Sequence, residues 1–244
     1  MTTLEDILQD LAYGEFSQLR IGRFLPDDPS HESDPAAYAQ CISHINLGLK
    51  SIYSHFLLAT GRLLITQDAA VSVYVLSSDN TVSNGGALQY ITDTAEIPFA
   101  DDILKIEQIR DDEDNILHLD NTSEDMSIIS ETYRSFRLPA IDADGNDPVD
   151  WGVLSVRYRA THGQIVYADP MVPSAVEIKI PPQLHEALLW FVASRGFAAL
   201  NSDQGSEGND YYRKYQARIG EVLNQGLYIQ SETENPHFAD NGWV

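Results

Sequence analysis

The sequence predicts an α+β fold in which helices at both ends of the chain frame an antiparallel, sandwich- or barrel-like β region inserted between them. Three observations point to it. Apolar residues recur at helical steps of three and four over residues 4–56, at steps of two in short runs between 62 and 180, and at helical steps again from 181 onward. Strand-like runs follow one another without intervening helices, which excludes the alternating pattern of a parallel sheet. The resulting boundaries are 1–61 for the N-terminal helices, 62–180 for the β insertion, 181–226 for a closing helical pair and 227–244 for a C-terminal tail.

The first helix starts at Thr3, where a hydroxyl and the carboxylate of Asp6 make a capping pair ahead of Leu4, Ile7, Leu8 and Leu11 on one face. Residues 22–33 hold two prolines and several acids and read as a loop. Asp34-Pro35 is a strong helix start, an N-cap followed by proline at the first helical position. Tyr38, Cys41, Ile42, Ile45, Leu49, Ile52 and Phe56 then keep one apolar stripe, and Gly61 is the expected stop.

The runs RLLIT, VSVYVL, ILKIEQI, NILHL, GVLSVRYRA, QIVYA and VEIKI are rich in β-branched and aromatic residues and read as strands. Turn chemistry separates them at Ser83 to Gly86, Asp111 to Asn115, Asp144 to Asn146 and His162-Gly163.

Helices return in IPPQLHEALLWFVASRGFAAL, residues 180–200. Prolines at a helix entrance cost little, because the first N–H groups have no intrahelical partner. Leu184, Ala187, Leu188, Phe191, Val192 and Ala199 form one stripe, and Leu189, Trp190, Ala193, Phe197 and Leu200 a second on roughly the opposite side. Glu186 and Arg195 interrupt the run, so it is not a membrane span. The first stripe belongs to the core. The second has two readings, a contact with a neighbouring subunit or a second core face covered by the β region. After a polar loop, Asn201 to Gly208, a last helix runs from about Asn209 to Asn224, with Tyr211, Tyr215, Ile219 and Val222 inward and Gly226 as its cap.

Composition limits the function. The 244 residues carry 37 Asp and Glu against 15 Lys and Arg, a formal charge of -22, which repels nucleic-acid phosphates and argues against sequence-specific DNA binding. The charge serves solubility, or a surface that lets DNA pass without gripping it. The acidic, amphipathic start MTTLEDILQDL is neither a signal nor a transit peptide. The single cysteine, Cys41, excludes an internal disulfide and fits a reducing compartment. The Asn121-Thr122-Ser123 sequon is then not expected to be glycosylated.

Catalytic signals are sparse. Asp142 to Asp147 has acids at alternate positions like the start of a calcium loop, but Asp147 and Val153 stand where glycine and glutamate are required. His185-Glu186 lacks the second histidine of a zinc-protease helix, and neither a phosphate-cradling glycine loop nor a nucleophile elbow is present. Cys41 lies on the apolar stripe of its helix and reads as a buried small hydrophobe. No catalytic residue, cofactor or metal is expected, and an enzyme is not.

Five segments in order resemble the head-to-tail adaptor, or connector, proteins of tailed bacteriophages, related to the tail tubular proteins of short-tailed phages. TLEDILQDL resembles the opening helix, and DPAAYAQCISHINLGLKSIYSHF the long helix with its central Ile45-Asn46. ILKIEQIRDDEDNILHLDN resembles the hairpin with an acidic turn, LSVRYRATHGQI a central strand pair, and IPPQLHEALLWFVASRGFAAL with NDYYRKYQARIGEVL the closing helical pair. Residues 66–101 and 139–150 match less clearly. The resemblance implies a helical platform with a β insertion, assembled as a ring, usually of twelve copies, between the portal and the tail or nozzle proteins of the virion neck. Such a protein is made in the host cytoplasm, has no membrane partner, and lets genomic DNA through an acidic channel. The resemblance also implies a C-terminal segment that reaches the portal. In this chain Leu227, Tyr228, Ile229, Phe238 and Trp243 supply its large apolar anchors. A β-rich virion module binding a glycan or host receptor is the alternative, with Tyr74, Tyr90 and Trp151 as its aromatic candidates. A hydrolase, which needs carboxylates converging in a pocket, comes third.

Overall fold

A computed structural model of the chain describes residues 2–17, 35–68, 71–86, 88–94, 98–120, 127–138, 151–168, 171–199 and 205–226. The fold is α+β. Residues up to Phe56 and from His162 to Gly226 form one compact unit, and Leu57 to Thr161 form another.

The helical unit opens with strand β1 (Thr2–Thr3) and helix α1 (Leu4–Tyr13). The expected capping box is present: Asp6 N–H donates to Thr3 Oγ1 at 3.3 Å, and Thr3 N–H donates to Asp6 Oδ2 at 2.7 Å. A cap of this kind is worth about 1 kcal/mol. The Thr3 N–H and the Thr3 hydroxyl, which also donates to Asp6 Oδ2 at 2.9 Å, hold the Asp6 carboxyl below its ordinary pKa. Leu4, Ile7, Leu8 and Leu11 are buried.

Helix α2 (Pro35–His55) buries Tyr38, Cys41, Ile42, Ile45, Leu49 and Ile52 on one stripe, as the periodicity requires. Burial pushes the Cys41 thiol up to about 12, so it packs as a hydrophobe. Asp34, the expected N-cap, lies outside the described residues.

Gly61 does not stop this helix, which ends at His55. Gly61 sits instead in strand β2 (Thr60–Thr66), opposite Tyr158, and a Cβ there would lie 2.2 Å from the Tyr158 ring. The glycine makes room for an aromatic ring rather than a cap.

Helices α3 (Pro182–Ala199) and α4 (Gly205–Asn224) close the unit. α4 begins within the stretch expected to be a loop, and Gly208 is one of its helical residues. A Cβ on Gly208 would lie 3.1 Å from Ser194 O and 3.3 Å from Ala198 N, so the absence of a side chain lets α4 lie close on α3. Tyr215, Ile219 and Val222 are buried, Tyr211 is half-buried, and Gly226 adopts the left-handed conformation of a helix cap with φ 62°.

Residues 162–180 depart from the expected β insertion, since they belong to the helical unit. QIVYA forms no strand. Its alternation suits a sheet, but the backbone of Ile165 is paired by a side chain: Asn46 Nδ2 donates to Ile165 O at 2.8 Å, and Ile165 N donates to Asn46 Oδ1 at 2.9 Å. One carboxamide on α2 thus supplies both bonds of a neighbouring strand. His162-Gly163 therefore does not join two paired strands. VEIKI contributes β10 (Glu177–Ile178), which pairs antiparallel with β1.

Among the described residues the β unit holds two antiparallel sheets. The larger has the order β4 (Ile91–Thr92), β2, β9 (Val153–Ala160), β5 (Ile103–Arg110) and β6 (Ile116–Leu117). The smaller has the order β3 (Val73–Val75), β8 (Ser135–Arg137) and β7 (Ile129–Thr132). Leu63, Ile65, Ile106, Ile109, Leu154 and Val156 of the larger sheet share one buried cluster with Tyr74 and Phe136 of the smaller, which makes the unit sandwich-like. The acidic turn between β5 and β6 is fixed by Asp111, whose Oδ1 accepts from the N–H groups of Glu113 at 3.0 Å and Asn115 at 2.8 Å.

Leu188 is fully buried in the helical unit, against Gly48 of α2. Leu188→Asp puts an unpaired carboxylate there, at a cost of several kcal/mol, comparable with the stability of a whole domain. The variant is expected not to fold; a soluble variant with an unchanged melting temperature would contradict the placement of α3.

His44 on α2 generates a pH dependence. Both ring nitrogens are out of water and bond to no group among the described residues, and burial, with the Arg195 charge as a smaller cause, lowers its pKa from the ordinary 6.5. The unfolded chain therefore binds a proton near pH 6.5 that the folded chain refuses until lower pH, so stability falls as pH drops below about 6.5. The melting temperature is expected to decline between pH 7 and 5.5, and less steeply in His44→Gln. Identical slopes in both proteins would show that His44 does not carry the effect.

Candidate functional site

The second apolar stripe of α3 has two expected roles, a contact with a neighbouring subunit or a second core face. Leu189, Ala193 and Phe197 are buried within the single chain, and only Trp190 is half-exposed; Leu200 lies outside the described residues. What covers the stripe is helical. The Phe16 ring, just beyond α1, lies 6.1 Å from Phe197, and Tyr211 of α4 stacks on Phe197 at 5.3 Å with an interplanar angle of 20°. A Cβ on Gly196 would stand 2.6 Å from the Phe16 ring, which explains a glycine in the middle of an otherwise bulky helix. These three residues are core, so they are not free to meet another subunit.

The first stripe is enclosed as expected. Leu184, Ala187, Leu188 and Val192 are fully buried. Phe191 meets Tyr215 edge-on at 5.2 Å, and the Tyr215 hydroxyl is 2.7 Å from Ser51 Oγ of α2. His185 Nε2, at the solvent margin of α3, lies 2.8 Å from Asp10 Oδ2 of α1. Sequence reasoning treated His185 only as half of an absent zinc motif; its role is a polar tie between two helices.

Among the described residues of this unit, the large apolar side chains left exposed are Tyr13, Leu47, Val166, Val172 and Tyr212. Tyr13, 75% exposed at the end of α1, is the most open of them and was not singled out by periodicity, because it falls off the stripe of its helix. The proposed anchors Leu227, Tyr228, Ile229, Phe238 and Trp243 lie outside the described residues, as does the Asp142 to Asp147 loop.

In the β unit the aromatic candidates for glycan binding are core residues. Tyr74, Tyr90 and Trp151 are buried. The Tyr74 hydroxyl accepts from Asp68 N at 2.8 Å, and the Tyr90 hydroxyl accepts from Val75 N and donates to Val75 O, both at 2.9 Å. Burial raises both pKa values above the ordinary tyrosine value. Their polar ends are consumed by backbone, so they make no platform for a sugar.

Two carboxylates, Glu107 and Asp120, line one cleft of about 380 Å³ together with Lys105, Ser130, Thr132 and Tyr133 among others. Glu107 reaches it through a bulge. The β5–β9 register shifts between Ile106 and Gln108, so Glu107 is an extra residue and turns inward beside buried Arg159, whose Nε lies 3.2 Å from Glu107 Oε1. Lys105 Nζ is 3.7 Å from the other oxygen. Asp120 Oδ1 accepts from Ser130 N at 2.7 Å. Both carboxylates therefore already have structural partners, and a buried ion pair of this kind fixes geometry more than it adds stability.

Among the described residues no group of three or more His, Cys, Asp or Glu is placed to hold a metal ion, and no helix is long and apolar enough to cross a membrane. No family model and no curated protein sequence matches the chain.

Proposed function

We propose that this chain is a head-to-tail adaptor of a tailed bacteriophage, a non-enzymatic ring component between the portal and the tail or nozzle proteins, with twelve copies as the expected number. The observation that carries the reading is the ordered series of five segments that resembles such adaptors, from TLEDILQDL to NDYYRKYQARIGEVL. A helical unit made from both ends of the chain, with a β unit inserted in it, supports it, as this is the organisation the resemblance implies. The charge of -22 supports it further, because an acidic channel wall does not grip passing DNA.

Burial of Leu189, Ala193 and Phe197 moves the ring contacts off the second stripe of α3. Those three side chains are core, so neighbouring copies gain no apolar burial from them in solution. A preformed ring of portal sites overcomes this by raising the effective concentration of neighbours. The C-terminal segment 227–244, with its five large apolar anchors, is the proposed docking element.

Two outcomes test the reading. The isolated protein is expected to sediment as a monomer at low salt and to form rings, visible by electron microscopy, only when mixed with portal rings. Stable rings without portal, or no association in its presence, would contradict it. A chain ending at Gly226 is expected to melt within a few degrees of the full chain yet fail to join portal-containing particles. Normal joining by the shortened chain would move the docking surface elsewhere.

A further inference from the structure

The connection between β3 and β4 carries an asparagine–glycine pair, Asn84-Gly85, that the adaptor reading does not use. Asn84 ends a short 3₁₀ turn (Val82–Asn84), and Gly85 follows it in the left-handed region with φ 67°. Both residues are exposed. Nothing lies within 4 Å of the point where a Cβ on Gly85 would stand. The pair forms an arch between tied neighbours. Ser83 N donates to Asp93 Oδ1 at 3.0 Å, the Ser83 hydroxyl bonds Asp93 Oδ2, and Gly86 O accepts from Gln89 Nε2 at 3.0 Å.

The other asparagines are held differently. Asn46 uses both ends of its carboxamide on Ile165, Asn80 Nδ2 donates to Val75 O at 2.9 Å, and Asn115 Nδ2 donates to Asp111 Oδ2 at 3.0 Å. Leu47, Thr81 and Ile116 follow these three, and each brings a side chain to the next peptide nitrogen. Asn209 and Asn224 lie in α4 and precede Asp210 and Gln225. Among the described residues Asn84 alone precedes a glycine, and neither its carboxamide nor the Gly85 N–H is bonded to another group. The second such pair in the sequence, Asn241-Gly242, lies outside the described residues.

We propose that Asn84 is a site of spontaneous deamidation, which turns this position into a mixture of aspartate and isoaspartate as the protein ages. Hydroxide removes the Gly85 amide proton, and the nitrogen attacks Asn84 Cγ. The new N–Cγ bond closes a succinimide ring, the Cγ–Nδ2 bond breaks, and ammonia leaves with a proton taken from water, which restores the hydroxide. A second water then opens the ring at either carbonyl, giving the aspartyl or the isoaspartyl linkage. The sum is amide plus water to carboxylic acid plus ammonia, with no oxidant or reductant. Glycine favours the closure because it has no Cβ in the way and rotates freely, and here no bond of its N–H has to be broken first. The product places a carboxylate one residue from Ser83, which Asp93 already holds, so two like charges meet at one turn. The isoaspartyl form also lengthens the backbone by a methylene between tied neighbours.

The test is a time course of the full chain at mildly alkaline pH and physiological temperature, read by peptide mapping and mass spectrometry beside a synthetic peptide of residues 79–90. The fragment containing Asn84 is expected to gain the mass of an amide-to-carboxyl exchange and to separate into two products, isoaspartyl and aspartyl. Its rate should be comparable with that of the synthetic peptide and rise with pH. Asn46, Asn80 and Asn115 should stay intact over the same period. Asn84→Gln, which would have to close a larger and slower ring, is expected to melt like the native chain and to show no conversion at this position. An intact Asn84 at the time the synthetic peptide has fully converted would overturn the site. Equal conversion of Asn80 or Asn115 would overturn the selection by the fold, and an aspartyl product alone would overturn the succinimide route.

Discussion

Enclosing α3 is the constraint on which the helical unit depends. A helix with apolar side chains on nearly every side is stable in water only if other elements surround it. Here α2, α4 and the segment following α1 do so, each at a point of close approach marked by a glycine. Gly48 of α2 faces Leu188 and Phe191, Gly196 of α3 itself receives the Phe16 ring, and Gly208 of α4 lies on Ser194 and Ala198. Glycine within a helix costs about 1 kcal/mol relative to alanine. A methyl group at Gly48 would stand 2.6 Å from Leu188 Cδ1, and no packed core accommodates that without shifting. The enclosing elements come from both ends of the chain. The middle must therefore leave the unit after Phe56 and return at His162, and the excursion is sustainable because residues 57–161 build a core of their own.

Much of this was legible because burial and periodicity are local properties. The α1 capping box, the α2 stripe from Tyr38 to Ile52, the inward residues Tyr215, Ile219 and Val222 and the cap at Gly226 all follow from spacing alone. Misreadings arose where a partner distant in sequence decides the outcome. Gly61 looks like a helix stop but is defined by Tyr158, nearly a hundred positions away. QIVYA alternates like a strand, yet alternation only states that one face is buried. Whether the backbone then pairs with a strand or with a carboxamide depends on Asn46, which periodicity cannot place beside Ile165.

The candidate sites were less legible, for a related reason. Tyrosine is amphipathic, so Tyr74 and Tyr90 fit an exposed aromatic platform and a buried core equally well until their hydroxyl partners are known. Two stripes on α3 imply two covering surfaces, but not whether the second comes from the same chain.

Charge and apolar burial together define how such a chain can associate. Leu189, Ala193 and Phe197 of α3 are buried inside the monomer, so they supply no driving force for a lateral contact. Each copy also carries a charge of -22, so copies repel one another at separations up to the screening length, about 8 Å at physiological salt. At closer range the repulsion remains, and only direct pairing of unlike groups offsets it. Unlike groups are available, since 15 Lys and Arg accompany the 37 acids. In the proposed ring, the portal would fix the copies in place against this repulsion.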